Sequence, residues 1–376
     1  MADLIRDLGP KPGDVEWRAA QAALAASETH IGHIDTGLFP HPTLGFGAGG
    51  APPANIRLDL GRNVFDPERS GPRPVTDLSV PDDAIARAAD YPDHGVKTLS
   101  VILANAPGTL VGVAPGAKIV PYRVANGPVF VGRARTSRIG AAMEKAMALA
   151  NPPKVFSISM GNPGITGLAE FLRFGVGGAP GMSARTAEAI NRAYEAGIVT
   201  VAAGGQIINN VSYPARFARV IGVGGITGDE IHYPIGGYDQ AALIDVWTYA
   251  SAINRASGLR MPDGSIRAIH ADDPASQDLE PSGTSYAAPQ VAGAAALWLT
   301  RWADDLAKLD ARWKVVESFR LALRDSARKE EIRLHIGRQD RIAIRRLDIE
   351  ALMRTKPDLK ANLRKRDAAS RLASLL

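Results

Sequence analysis

EPSGTSYAAPQVAGAAALWL, residues Glu280 to Leu299, is a glycine-broken loop that runs straight into a stretch of small apolar residues. Ala, Val and Leu dominate its second half, so the stretch predicts a helix from Ser285 to Trp302 that is apolar enough to be buried. The Ser-Gly-Thr-Ser cluster at the mouth of that helix has two readings. Hydroxyls there satisfy the orphan N–H groups of a first turn. The same place suits a nucleophile at Ser285, because unpaired N–H donors and the positive end of the helix dipole face a developing oxyanion. The remainder of the chain has to separate capping alone from capping with chemistry.

Outward from this helix, short apolar runs rich in β-branched residues alternate with helical stretches, the pattern of a parallel sheet covered on both faces. Strands are predicted at Ile31–Asp35, Lys118–Val124, Lys154–Met160, Ile198–Ala203 and Val220–Gly224. Helices are predicted at Gly95–Asn105, Ser137–Ala150, Arg185–Ala196, Ser285–Trp302 and Trp313–Ser326. The fold class is therefore α/β, doubly wound, with a mainly parallel central sheet and helices on both faces. Three regions read as loops: a long Pro-, Gly- and Asp-rich insertion at 46–90, Asn126–Arg135, and His232–Gln277. No linker divides two cores. The expected organisation is an N-terminal extension at 1–27, a main domain at 28–340 and a basic helical C-terminal extension at 341–376.

With 376 residues, 45% of them hydrophobic, the chain can bury a large core. It has no Cys, so disulfides, thiolate metal sites and a cysteine nucleophile are excluded. The N-terminus has no basic segment followed by an apolar run, and no window is long and apolar enough to span a membrane. The expected location is cytoplasmic if this N-terminus is native, or secreted if it is a trimmed mature form. Net charge is +5, and it is uneven: residues 301–376 hold 20 Lys/Arg against 12 Asp/Glu, leaving 24 against 27 in the rest. Leu and Ile recur at helical spacing in that basic tail, with no aromatic interleaving. It reads as a solvated helical face, not a nucleic-acid surface.

In open α/β sheets, ligands bind at the carboxyl ends of strands. Asp35 ends the apolar run HIGHI and begins DTGLFPHPTL, where an Asx turn would explain it equally well. His94 lies at a helix start in YPDHGVKTLSVIL, and His30, His33, His41, His232, His270 and His335 compete with it. Taken together, an Asp after the first strand, a His at one helix start and a Ser at a later one supply orienter, general base and nucleophile. Their chain order, Asp, His, Ser, is the order found in subtilisin.

At six places the sequence resembles the subtilisin-like serine proteases, or subtilases. These are DTGLFPHPTL around Asp35, HGVKTLSVI around His94, GVAPGAKIVPYRV from Gly112, FSISMGNPG from Phe156, YPARFARVIGVGG from Tyr213 and GTSYAAPQVAG from Gly283. The resemblance implies a serine endopeptidase with the triad Asp35, His94 and Ser285, needing no cofactor or metal for its chemistry. It makes 28–340 the peptidase domain. Ser159, Met160 and Gly161 would pair with an extended polypeptide substrate as an added strand. Ala202, Ala203 and Gly204 would form the other wall of the primary pocket, with Ser212 near its floor. Nothing acidic or basic lines those positions, which implies a preference for neutral or apolar side chains before the cut bond.

The chain also departs from the family. Where the family has Ala-Gly-Asn, this sequence reads VTVAAGGQIINN, and Gln206 is taken as the oxyanion donor beside the Ser285 N–H, with Asn209 or Asn210 as substitutes. Removing one such donor costs about 10²–10³ in turnover. After the catalytic His and its Gly, the family's Thr-His-Val-Ala-Gly is replaced by VKTLS. The loop ANAPGTLVG offers only Asn105 as a polar calcium ligand, so no calcium site is expected there. Subtilases are made with an N-terminal propeptide, yet only 34 residues precede Asp35. Either this is a mature form, or the protein folds without one and is restrained otherwise, for instance by an inhibitor or regulatory partner. Two alternatives stay open: a degenerate subtilase that binds a peptide or protein without cleaving it, and a small-molecule hydrolase using the same triad.

Overall fold

The structure, a computed structural model, describes residues 4–65, 93–128, 133–162, 182–205, 211–227, 242–263, 265–276, 283–333 and 341–369. Helix α1 (Val15–Ala26) leads into β1 (His30–Asp35), whose six residues are all buried. The two-residue strand β2 (Arg62–Asn63) is followed by α2 (His94–Leu103) and the small β3 (Asn105–Ala106) and β4 (Leu110–Val111) ladder. Next come β5 (Lys118–Arg123), α3 (Arg133–Met147), β6 (Val155–Ile158), α4 (Ala184–Glu195), β7 (Val199–Ala203) and β8 (Ile221–Ile226). The chain continues through β9 (Val246–Tyr249), a hairpin of β10 (Ala256–Arg260) and β11 (Ile266–His270), and the long helix α5 (Thr284–Arg301). It ends with α6 (Ala303–Leu306), α7 (Trp313–Ser326), β12 (Arg328–Arg333), β13 (Arg341–Arg346) and α8 (Ile349–Arg354).

The large sheet runs β12-β13-β9-β8-β7-β6-β1-β5-β2, and only the β12–β13 pair is antiparallel. β1 lies between β5 and β6, so the strand order reverses beside it and the carboxyl end of β1 opens on a crevice. Strand alternation splits the core in two. Ile31, Ile119, Val155, Val199 and Val201 face α1, α2 and α5, whereas Ile34, Val120, Phe156, Ile158 and Ala202 face α3 and α4. Every residue of α5 from Thr284 to Leu299 is buried. Its run of Ala and Gly allows that depth: a Cβ on Gly293 would stand 3.1 Å from Val113 Cγ1.

The doubly wound arrangement and the five predicted strands are present, with small shifts at helix ends. α2 starts at His94 and α3 at Arg133, so the last residues of the 126–135 loop are helical. Two larger expectations need correction. The region 232–277 is not simply a loop, because β9 joins the sheet and β10–β11 form a hairpin of their own. Of the expected helical extension at 341–376, the described residues 341–369 are not helical throughout: β13 pairs with β12 and touches β9 at Arg346–Trp247, α8 is short, and residues 355–369 hold no regular element. Ile342 and Ile344 point into the core while Arg341 and Ala343 are exposed. The N-terminal extension packs as well, burying Trp17, Ala20 and Leu24, and Trp17 Nε1 donates to the Val113 carbonyl at 3.2 Å. Of the 46–90 insertion, residues 55–64 lie along the β5 edge and 66–90 fall outside the described residues. Among the described residues no helix is long and apolar enough to cross a membrane.

Candidate active site

At the carboxyl end of β1 the chain turns sharply. The Thr36 N–H donates to Asp35 Oδ1 at 2.7 Å, and Gly37 takes a φ of 93°, in the left-handed region that favours glycine. The first turn of α2 lies directly on this bend. The Gly95 N–H donates to Thr36 Oγ1 at 2.8 Å, and a Cβ on Gly95 would fall 2.0 Å from the Gly37 carbonyl oxygen. Only glycine permits that approach. It sets His94 over Asp35, with Nδ1 2.7 Å from Oδ1. Asp35 is 0% exposed and His94 5%. Burial works against the Asp35 charge, but the His94 ring and its hydrogen bond, helped by the Thr36 N–H, outweigh it and hold the carboxyl below the usual carboxylate range.

Ser285 is the second residue of α5 and 8% exposed. Its Oγ donates to the Ser159 carbonyl at 3.1 Å, and Ser159 Oγ donates back to the Ser285 carbonyl at 2.9 Å. No hydrogen bond joins Ser285 Oγ to His94 in this arrangement. One rotation about χ1 redirects a serine hydroxyl. The next residue, Tyr286, lies with its ring 6.4 Å from that of His94, and the buried Arg255 guanidinium covers it at 4.0 Å.

Of the proposed pocket residues, Ser159 bonds to Ser285, whereas Gly161, Gly204 and Ser212 adjoin one another. The Gly161 N–H donates to the Pro128 carbonyl at 3.0 Å, and Asn162 exchanges two 2.8 Å hydrogen bonds with Tyr213. Ala202 and Ala203 end β7, the Gly204 N–H reaches Val223, and the Ser212 N–H returns to the Gly204 carbonyl at 2.7 Å. The Ser212 side chain stands between two glycines: a Cβ on Gly161 would be 2.8 Å from its Cβ, and one on Gly205 would be 2.5 Å from its Oγ. Met160 is buried on the opposite face of its strand, among the residues facing α3 and α4, while Ser159 turns to Ser285. Gln206, Asn209 and Asn210 lie outside the described residues. The last described residue of that strand end, Gly205, has a φ of 96° and donates its N–H to Thr284 Oγ1 at 3.1 Å, next to Ser285.

The model of the subtilase family matches residues 27–335. The chain belongs to the subtilase family, a family of serine proteases. It is 28% identical to Subtilisin BL of Lederbergia lenta over 282 residues, 74% of this chain and 79% of that protein. It is 28% identical to Subtilisin DY of Bacillus licheniformis over 217 residues, 56% of this chain and 64% of that one, just under two-thirds of its length. Among solved structures, a protease from Pseudoalteromonas arctica shares the fold at TM-score 0.63, with 20% identity over 90% of this chain and 93% of that one. Fervidolysin of Fervidobacterium pennivorans does so at 0.59, with 20% identity over 90% of this chain and 44% of that one.

In this subtilase, sequence reasoning passed over three contributors to the site. Thr98 donates to Asp35 Oδ2 at 3.1 Å, His33 lies 2.9 Å from the Thr98 hydroxyl, and Pro289 sits one turn into α5. VKTLS marked position 98 as unusual, and a His inside an apolar strand was visible, but nothing linear joins residues 65 apart.

Proposed function

We propose that this subtilase is a serine endopeptidase that cleaves peptide bonds through an acyl-enzyme. The observation that carries the reading is the buried 2.7 Å contact between His94 Nδ1 and Asp35 Oδ1, held by a glycine-only packing of α2 on the β1 turn. With Nδ1 engaged, Nε2 is the basic nitrogen. It takes the Ser285 hydroxyl proton as Oγ attacks the scissile carbonyl, then returns it to the leaving amine. Asp35 fixes the tautomer and stabilises the imidazolium. The Ser285 N–H at the start of α5 and the Gln206 amide are the assigned oxyanion donors, and the dipole of α5 favours the same charge.

The backbone of Ser159, Met160 and Gly161 forms one wall of the primary pocket, Ala202, Ala203 and Gly204 the other, and Ser212 the floor. An extended polypeptide pairs with the first wall. Its N–H before the cut bond competes with Ser285 Oγ for the Ser159 carbonyl, so substrate binding frees the hydroxyl to turn toward His94. Nothing acidic or basic stands at these positions, which favours neutral or apolar side chains before the cut bond. Incubating the protein with a mixture of unrelated peptides and reading products by mass spectrometry tests this. Internal cleavage after neutral or apolar residues that disappears in Ser285→Ala is expected; hydrolysis of small esters with intact peptides would instead support a small-molecule hydrolase.

A second reading, a subtilase that binds without cutting, draws on the same segment. The Ser159 carbonyl and the Gly161 N–H, the two groups that would pair with substrate, are both engaged internally. Peptide binding without products in that experiment would select it.

A further inference from the structure

β1 and α2 meet along more than the His94–Asp35 pair. His33 and Asp35 are two apart on a strand and so share a face, about 6.6 Å apart along it. His94 and Thr98 are four apart on a helix, about 6 Å along its axis and on one side. The two spacings match, and a second contact forms below the first: His33 Nε2 lies 2.9 Å from Thr98 Oγ1, and Thr98 Oγ1 lies 3.1 Å from Asp35 Oδ2. All four side chains are buried, with His33 at 1% exposure and Thr98 at 0%.

The protons in this quartet can be assigned. Oδ1 of Asp35 accepts from the Thr36 N–H and from His94, which leaves Oδ2 to the Thr98 hydroxyl. That hydroxyl has a competing acceptor, the Gly95 carbonyl at 3.2 Å. A buried carboxylate is the stronger acceptor, so the Thr98 proton goes to Asp35. The Thr98 oxygen then accepts from His33, whose proton must sit on Nε2. Burial pushes the His33 ring down to about 4, against the pull of Asp35, so it donates as a neutral ring and adds no second cation beside His94. Packing alone does not require this arrangement. The family's usual residue at position 98, Val, has nearly the same shape and cannot donate.

We propose that Thr98 and His33 are positioning residues of the triad, a buried relay that fixes the second carboxylate oxygen of Asp35 and thereby the orientation of the His94 imidazole. The proposal rests on the triad assigned above, so its test reads Asp35 and His94 directly and needs no turnover.

The experiment is NMR on the full chain carrying carboxyl-labelled aspartate and ring-labelled histidine, for wild type, Thr98→Val, Thr98→Ser and His33→Leu. Thermal midpoints of all four are recorded alongside. Thr98→Val is expected to raise the Asp35 titration midpoint and speed solvent exchange of the His94 Nδ1 proton by roughly tenfold, the loss of one charge-assisted hydrogen bond. Thr98→Ser should restore both, and His33→Leu should move both the same way by less. A merely structural pair would lower the melting temperature and leave Asp35 and His94 as they were. A folded Thr98→Val with wild-type Asp35 titration and His94 exchange overturns the relay, and if that variant does not fold, an unchanged His33→Leu overturns it. Fluorophosphonate labelling of the same wild-type sample judges the endopeptidase reading separately, since an inert Ser285 would leave the NMR comparison intact.

Discussion

Pro289 follows Ser285 by four residues and has no N–H to give it, so the Ser285 carbonyl takes the Ser159 hydroxyl instead, at 2.9 Å. A proline inside a helix usually costs stability. Here it releases one backbone acceptor, through which the Ser285 peptide is tied to the neighbouring strand end.

That exchange predicts a coupling. Ser159→Ala should lower unfolding free energy by about 1–3 kcal/mol, because a buried carbonyl loses its donor. Pro289→Ala in the same chain supplies an N–H to that carbonyl and should recover part of the loss. Urea unfolding of the two single variants and the double variant gives the interaction energy, expected to exceed about 0.5 kcal/mol. Strict additivity would break the link between Pro289 and Ser159.

Two buried histidines set an acid limit on stability. Burial pushes both His33 and His41 down to about 4, although His41 Nε2 donates to the Ile269 carbonyl at 2.8 Å. In the unfolded chain each takes its proton near 6.5. Between those values the unfolded state binds more protons, so stability is fully present above about pH 6.5 and falls as pH drops toward 4. Each ring contributes a slope of up to about 1.4 kcal/mol per pH unit. Urea midpoints measured from pH 7 to pH 4.5 should decline accordingly, and His41→Phe should flatten the decline. A level wild-type profile would contradict both assignments.

The parallel core was legible because β1, β5, β6, β7 and β8 are almost wholly buried and therefore read as short, mostly apolar runs. β12 and β13 were not legible for the opposite reason. RKEEIR and RIAIRR are a solvent-exposed edge strand and its neighbour, in which only Ile332, Ile342 and Ile344 turn inward, and so much charge hides a strand among helical-looking neighbours. At the candidate site, the residues Asp35, His94 and Ser285 stood out in local motifs, and the structure joins Asp35 to His94. The relay through His33 and Thr98 could not, since its pattern exists only once a strand period of two is laid against a helical turn of four.

Ser212 should set the size of the primary pocket. Ser212→Gly removes the side chain between Gly161 and Gly205 and should shift cleavage toward larger residues before the cut bond, by about tenfold in relative kcat/KM. Competing peptides that differ only at that residue measure the shift. An unchanged preference would move the pocket elsewhere.

The C-terminal segment should be part of the folding unit. Ending the chain after residue 340 removes β13, along with Glu350, whose carboxylate accepts the Trp17 N–H at 2.8 Å, and Thr355, whose carbonyl accepts Trp298 Nε1 at 2.8 Å. The shortened chain is expected to lose its cooperative thermal transition. A truncated protein that melts like the full chain would make this segment an accessory.

The central claim, that His94 and the start of α5 activate Ser285, is tested most directly by treating wild type, Ser285→Ala and His94→Ala with a fluorophosphonate and recording intact masses. One adduct per wild-type chain, with none on either variant, is the predicted result. An unlabelled wild type that remains folded would contradict it.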